Sequence, residues 1–125
     1  MNEKGTDDAY RLLAYAIIAQ AATDYMECMK FMMYTEKAKQ TKGLEEMREY
    51  VAGQIHINEA FFTSQRFDLL ADKDVDGIAL METLKKRAWL QWKNGRHSDE
   101  QRRDNFRYIG RMAGRRVHWK EEIER

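Results

Sequence analysis

Apolar residues dominate the first third of the chain, where the stretch from Ala9 to Tyr34 contains neither glycine nor proline. Five of these residues lie at helical spacing and predict one face of an α-helix: Leu13, Ile17, Ala21, Cys28 and Met32. Further apolar residues flank that face, so that polar side chains occupy only a narrow side. A helix that is apolar around most of its circumference either lies at the centre of a fold or is shared with another subunit.

The same periodicity predicts a second helix from Leu44 to about Ala60 and a short third helix from Gln65 to Ala71. Ser64 directly precedes the third helix, and its hydroxyl can accept a hydrogen bond from the first turn. In the third helix, Phe67 and Leu70 are the expected core contacts.

A fourth helix is predicted from Gly77 to about Lys93, with five residues facing inward: Ile78, Met81, Leu84, Ala88 and Trp92. Ser98 and Gln101, three residues apart, form a capping-box pattern. This pattern predicts the start of a last helix that continues to about Ile123.

The composition agrees with helices throughout. The chain has 125 residues, no proline and three valines, whereas residues that favour helices are plentiful. We therefore predict an all-α fold, a small bundle of about five helices. Residues 1–95 form the helical body, and residues 96–125 form a basic C-terminal helix that belongs to the same domain.

The formal net charge of +1 conceals two parts of opposite sign. Residues 1–84 carry 9 basic and 15 acidic groups, a net −6, whereas residues 85–125 carry 13 basic and 6 acidic groups, a net +7. A strongly basic segment favours contact with polyanions or with acidic protein surfaces.

The last helix concentrates this positive charge. At about 100° per residue, one stripe contains Arg103, Arg107, Arg111 and Arg115, and the opposite, packing side contains Phe106, Ile109, Gly110, Ala113 and Val117. Guanidinium groups match phosphate geometry, and aromatic rings can stack on bases. The predicted interface with nucleic acid or another partner comprises Lys85, Lys86, Arg87, Lys93, Arg96, Arg103, Arg107, Tyr108, Arg111, Arg115 and Trp119.

Two other interpretations of the basic helix remain open. The arginines can form a solvated face whose stems cover apolar surface, with nearby acidic residues neutralising part of the charge. The helix can also dock on the acidic body of the same molecule or of a second copy.

The segment from Asp72 to Gly77 matches the first half of a calcium-binding loop, with Asp72, Asp74 and Asp76 as candidate ligands. Such a loop needs a bidentate carboxylate at its twelfth position, where Thr83 stands. The sequence therefore favours another role, in which Asp76 caps the fourth helix.

Nothing in the sequence supports an enzyme or a bound cofactor. His56 and Glu59 have the spacing of one half of a di-metal site. Such a site also needs two more glutamates on other helices, so the sequence favours a surface or half-buried histidine. The single cysteine, Cys28, lies among apolar residues without a histidine nearby in sequence, which favours a packed and inert thiol.

No run reaches the roughly 18 apolar residues that span a bilayer. The first eight residues are polar and acidic, unlike a secretory signal. With a lone cysteine, these features predict a cytoplasmic protein that makes no contact with membranes.

A series of short motifs runs through the region from Leu12 to Lys85. It comprises Leu13-Ala14-Tyr15-Ala16-Ile17-Ile18-Ala19-Gln20-Ala21, then Asp24-Tyr25, Phe61-Phe62-Thr63-Ser64, Phe67, Leu69-Leu70, Asp76-Gly77 and Leu84. This series resembles a family of small helical phage and prophage proteins of unassigned function. The chain departs from the family pattern at Thr63, where arginine is usual, and at Arg66, where an aromatic residue is usual.

The resemblance implies a phage context within a bacterial host cell, without implying any chemistry. Together with the basic helix, it predicts a non-enzymatic accessory protein that binds nucleic acid or a host nucleoprotein complex. Inhibition of host defence, as by an anti-CRISPR protein, is one role that suits this description. The alternative is a protein–protein interaction module without nucleic-acid contact, or a homo-oligomer formed through the first helix.

Overall fold

A computed structural model describes the backbone of residues 3–71, 75–95 and 98–124, and the side chains of residues 8–71, 75–95 and 98–114. Over these ranges the chain forms five helices without strands, and the all-α prediction is confirmed. The helices are α1 (Glu3–Thr35), α2 (Lys42–Phe62), α3 (Gln65–Leu70), α4 (Gly77–Gly95) and α5 (Asp99–Glu124).

Short polar side chains fix where the later helices begin, as the sequence predicted. The Ser64 hydroxyl accepts a hydrogen bond from the backbone N–H of Phe67 at 3.2 Å, and the Asp76 carboxylate accepts one from Ile78 at 2.9 Å. The Ser98 hydroxyl accepts from the N–H of Gln101 at 3.3 Å. The backbone N–H of Ser98 donates to the carbonyl of Gly95 at 2.8 Å, which ties α5 directly to the end of α4.

Helix α1 lies at the centre, and three other long helices pack on it. Tyr25 of α1 bonds to Glu59 of α2, whereas Met32, farther along α1, bonds to Arg48, so α1 and α2 are antiparallel. On α4, Leu84 packs in one cluster with Tyr25, and Gln91 bonds to Lys30, so α4 runs parallel to α1.

Helix α5 runs antiparallel to α1, because Asn105 bonds to Glu27 and Tyr108 bonds to Asp24. The four long helices therefore alternate in direction along the chain. Helices α4 and α5 pack mainly on α1 rather than on each other. The orientation of the α5 surface is consequently set by its contacts with α1.

The core has two buried clusters along α1. One contains Cys28, Phe31, Val51, Ile109 and Met112, and joins α1, α2 and α5. The other contains Tyr25, Phe62, Phe67 and Leu84, and joins α1 to α2, α3 and α4. The packed Cys28 thiol agrees with the sequence interpretation, since the side chain is fully buried.

A close backbone approach explains one glycine of the core. A Cβ atom at Gly77 would lie 1.9 Å from the carbonyl oxygen of Phe62, so any larger residue would force the end of α2 and the start of α4 apart. Gly77 thereby allows these two helices to meet beneath α3.

Two predicted core residues lie on the surface instead. Leu13 is 62% exposed and Ile78 is 59% exposed. Both belong to the end of the bundle at which α4 begins, and Leu13 precedes the level at which α2 and α4 pack on α1. Helical periodicity predicted that both face inward, which is wrong, since no neighbouring helix covers them among the described residues.

Candidate nucleic-acid interface

Helix α5 presents Arg103, Arg107 and Arg111 to solvent on one side. The opposite side is buried against α1 and contains Asn105, Ile109 and Met112, which are at most 3% exposed. Consecutive arginines of the stripe are separated by about 6 Å along the helix axis. The described part of the predicted stripe therefore forms one continuous cationic surface.

Asn105 anchors α5 in this orientation. Its Nδ2 atom donates to the backbone carbonyl of Glu27 at 2.8 Å and to the Glu27 carboxylate at 2.7 Å. The side chain is 2% exposed, so both hydrogen bonds are formed in a region that excludes water. Rotation of α5 about its axis would break them, which holds the arginines on the solvent side.

Tyr108 forms a second anchor. Its hydroxyl donates to the Asp24 carboxylate and accepts a hydrogen bond from Gln20 at 3.0 Å. The ring is half-buried and packs at the edge of the core cluster that contains Ile109. The sequence predicted Tyr108 as a residue that stacks on bases, whereas the structure uses its hydroxyl and much of its ring to attach α5 to α1.

The predicted packing side of α5 is therefore partly wrong. Ile109 is buried and Phe106 and Ala113 are half-buried, as expected, but Gly110 is exposed. Asn105 and Met112 are buried instead. The hydrogen bonds from Asn105 to Glu27 fix how α5 is rotated about its axis, and this rotation brings both side chains toward α1. Val117 lies in the part of α5 whose side chains are outside the described residues.

An acidic residue of α5 lies beside the arginine stripe. Arg107 lies 3.8 Å from Asp104, and both side chains are mostly exposed, at 73% and 65%. An exposed ion pair of this kind contributes little to stability, so Arg107 can exchange Asp104 for another anion at small cost. Arg103 has no ion pair among the described residues, and Arg111 borders a depression of about 520 Å³ with Gln20, Thr23, Tyr108 and Gly114.

The basic residues of α4 have different surroundings. Lys86 and Arg87 are exposed, and the ammonium group of Lys93 lies 4.9 Å from the centre of the Trp89 ring. Lys85 instead lies 3.6 Å from the carboxylate of Glu59 and 3.4 Å from that of Glu82. It therefore belongs to the contact between α2 and α4.

Glu59 connects Lys85 to the core. The buried Tyr25 hydroxyl donates to the Glu59 carboxylate at 2.9 Å. Burial, followed by the hydrogen bond and the charge of Glu59, raises the pKa of Tyr25 far above its usual range. This network stabilises the neutral phenol and brings Glu59 within 3.6 Å of Lys85, which lies at the contact between α2 and α4.

Several predicted residues lie outside the described part of the structure. These are Asp72, Asp74 and Arg96, together with the side chains of Arg115 and Trp119. Asp76 is described, and its carboxylate caps α4 through the N–H groups of Ile78 and Ala79, as the sequence favoured. Within the described ranges, no group of three or more His, Cys, Asp or Glu side chains could hold a metal ion.

Sequence reasoning missed a basic and aromatic depression at the opposite end of α5. Arg102 meets the last turn of α1 there, and the ring of Phe106 lies 5.7 Å from its guanidinium carbon. The depression has a volume of about 520 Å³ and is lined by Met33, Tyr34, Glu36, Lys37, Ala38, Trp92 and Arg102. Arg102 falls outside the arginine stripe on a helical wheel, so only the tertiary contact with α1 could reveal it.

Tyr34 shows that this depression is partly shielded from water. Burial and the negative charge of Glu27 raise the pKa of Tyr34, while the positive charge of Arg102 acts in the opposite direction. The phenol therefore stays neutral to a higher pH than an exposed tyrosine does.

Comparisons of the chain with protein-family models, curated proteins and solved structures give no match. The resemblance to phage proteins thus stays a prediction. Among the described residues, no helix is both long enough and apolar enough to cross a membrane.

Proposed function

We propose that this protein binds the phosphate backbone of a nucleic acid, either free or within a host nucleoprotein complex, through the solvent face of α5. The observation that carries this proposal is the common orientation of Arg103, Arg107 and Arg111, which lie opposite the buried anchors of the same helix. This is a binding function and requires no catalytic group.

Arginine suits this role because its planar guanidinium group forms paired hydrogen bonds with phosphate oxygens. Arg103 and Arg107 are exposed and belong to a helix held by Asn105 and Tyr108, so little ordering of the backbone accompanies binding. Phosphate contacts carry no sequence information by themselves, so we expect affinity without strong sequence preference.

The accessory role in a phage, including inhibition of host defence, is a further part of this proposal. An arginine-bearing helix is suited to a guide RNA or to DNA within a nuclease, because those ligands present a phosphate backbone. Capture of a nuclease-sensitive complex from a bacterial lysate would support this part, whereas capture that survives nuclease treatment would favour a protein surface as the target.

The direct test is fluorescence anisotropy of labelled single-stranded DNA, duplex DNA and RNA over a series of salt concentrations. Each phosphate contact adds about 0.9 to the slope of log affinity against log salt on duplex DNA, so the three described arginines predict a slope of about −3. Replacing Arg103 by Gln should weaken binding severalfold and reduce the magnitude of this slope by about one.

Two further variants make this test specific. Arg66→Gln removes an exposed arginine from α3, outside the proposed interface, and should leave affinity unchanged. Asp104→Asn removes the carboxylate that competes for Arg107 and should tighten binding. Binding that does not depend on salt, or an equal loss with Arg66→Gln and Arg103→Gln, contradicts the proposal.

A further inference from the structure

The depression between the end of α1, the end of α4 and the start of α5 combines aromatic rings with a guanidinium group. We call it the Trp92 depression. Its volume of about 520 Å³ lies within the range of sites that bind small molecules. The described residues that line it are Met33, Tyr34, Glu36, Lys37, Ala38, Trp92 and Arg102.

The two rings of this depression are partly accessible. Tyr34 and Trp92 are both half-buried, so neighbouring side chains hold each ring in place while part of its surface remains open to a ligand. Nucleobases stack on aromatic side chains and on the guanidinium plane of arginine. The Trp92 depression therefore contains the groups that can hold an unstacked base.

Contacts within α5 position Arg102 at the edge of the depression. Its guanidinium carbon lies 5.7 Å from the centre of the Phe106 ring, and the centres of the Phe106 and Phe31 rings are 5.0 Å apart. Phe31 is fully buried, so these contacts connect Arg102 to the core. The Arg102 side chain itself is exposed, which leaves its guanidinium plane accessible to a ligand.

The charges around the depression favour a ring over a phosphate group as its occupant. Lys37 and Arg102 are positive, but Glu36 also lines the depression, so that only one net positive charge remains. The arginine stripe, by contrast, presents three described guanidinium groups to solvent. Phosphates are therefore expected on the stripe rather than in the depression.

A second depression joins the Trp92 depression to the arginine stripe. It has a volume of about 320 Å³ and is lined by Asp99, Arg102, Arg103 and Phe106. Arg102 lines both depressions, and Arg103 is the first residue of the stripe. These two arginines are separated by only about 100° around the helix, so the aromatic surface and the cationic surface meet at neighbouring residues.

We propose that the Trp92 depression binds one unstacked base of a single-stranded nucleic acid whose phosphates lie on Arg103 and Arg107. A nucleotide joins a planar ring to a phosphate through one sugar, and the two neighbouring surfaces match these two parts. A base that is paired and stacked within a duplex does not offer its face to such a site. This inference rests on the proposed phosphate contacts and adds to them one contact with a base.

Fluorescence anisotropy with two labelled ligands tests the inference. One ligand is a DNA single strand of mixed sequence, and the other is a strand of the same length that consists of abasic sites. Both carry the same phosphate charge, so they differ only in the bases. The wild-type protein should bind the strand with bases about tenfold more tightly, because stacking of a base on an aromatic ring contributes on this order.

Three variants locate the base. Trp92→Leu removes the ring but keeps an apolar side chain, and it should abolish the difference between the strands while binding the abasic strand like the wild type. Trp89→Leu is the matched control on the same helix, since Trp89 is 45% exposed and is absent from the described lining; it should keep the tenfold difference. Arg102→Gln, at an exposed position, should reduce the difference severalfold.

The outcomes separate this inference from the proposed function. Salt-dependent binding of both strands with equal affinity overturns the base contact and leaves the phosphate contacts supported, whereas no binding of either strand overturns both. A difference that persists in Trp92→Leu, or that is lost equally in Trp89→Leu, shows that the base does not lie in the Trp92 depression. If Trp92→Leu binds neither strand, Arg102→Gln decides, and an unchanged difference in that variant overturns the proposal.

Discussion

The two halves of α1 have similar apolar composition but different environments. In the C-terminal half, Tyr25, Cys28 and Phe31 are fully buried among the other helices. In the N-terminal half, Leu12 and Tyr15 are about three-quarters exposed. A helix that is apolar around most of its circumference is therefore expected to pack against other surfaces, but the pattern does not show that other helices of the same chain provide them.

The lengths of α2 and α4 account for part of the difference. Helix α1 has 33 residues, whereas α2 has 21 and α4 has 19. At about 1.5 Å per residue, α1 extends roughly 18 Å beyond what α2 can cover. The exposed part of α1 begins where α2 and α4 end, whereas α5, which runs antiparallel to α1, continues to Glu124.

The largest expected difference between the two halves is in stability. Phe31→Ala removes a fully buried ring that packs 5.0 Å from the ring of Phe106 and leaves a cavity between α1 and α5. We expect the free energy of unfolding to fall by about 3–5 kcal/mol. Urea denaturation at low protein concentration, with Tyr15→Ala as the control, measures this; equal losses for the two variants would contradict the assignment of the halves.

A smaller effect is expected at the polar contact of the buried half. Tyr25→Phe removes the hydrogen bond to Glu59 and should lower the free energy of unfolding by about 1–2 kcal/mol at neutral pH. Tyr15→Phe, on the exposed half, serves as the matched control and should unfold like the wild type.

The same variant tests the pH dependence. Because burial and the Glu59 hydrogen bond raise the pKa of Tyr25, the folded state holds this proton more tightly than the unfolded chain does. The stabilisation is fully present below the ordinary tyrosine pKa of about 10 and is lost progressively as the pH rises above it. Tyr25→Phe should therefore lose less stability at alkaline pH than the wild type, and parallel profiles would contradict this assignment.

The smallest effect is expected on the exposed half. Leu13→Gln replaces an apolar side chain that is 62% exposed by a polar one with similar helix propensity. The free energy of unfolding of the monomer should change by less than about 0.5 kcal/mol. A loss of several kcal/mol in dilute solution would show that Leu13 is covered in the folded monomer.

Local features of the structure were the most predictable from the sequence. Ser64, Asp76 and Ser98 begin helices as expected, because a capping side chain and its backbone partners lie within three residues of each other. The exposed positions of Arg103, Arg107 and Arg111 were also correctly assigned to one side, because helical geometry alone relates them.

Features that depend on distant residues were less predictable. A helical wheel assigns polar residues to the solvent side, but Asn105 is buried because Glu27, far away in sequence, supplies its acceptors. Lys85 was assigned to the basic interface, whereas Glu59 of another helix binds it. Arg102 was not predicted as an interface residue, because its neighbours come from the end of α1.

The sequence by itself determined the helical composition, three of the helix starts and the separation of acidic and basic charge, because these follow from neighbouring residues and from counting. Only the tertiary structure decided how α5 is rotated, which cations remain exposed and which half of α1 is covered. These outcomes depend on helix lengths and on polar partners that meet only when the chain folds.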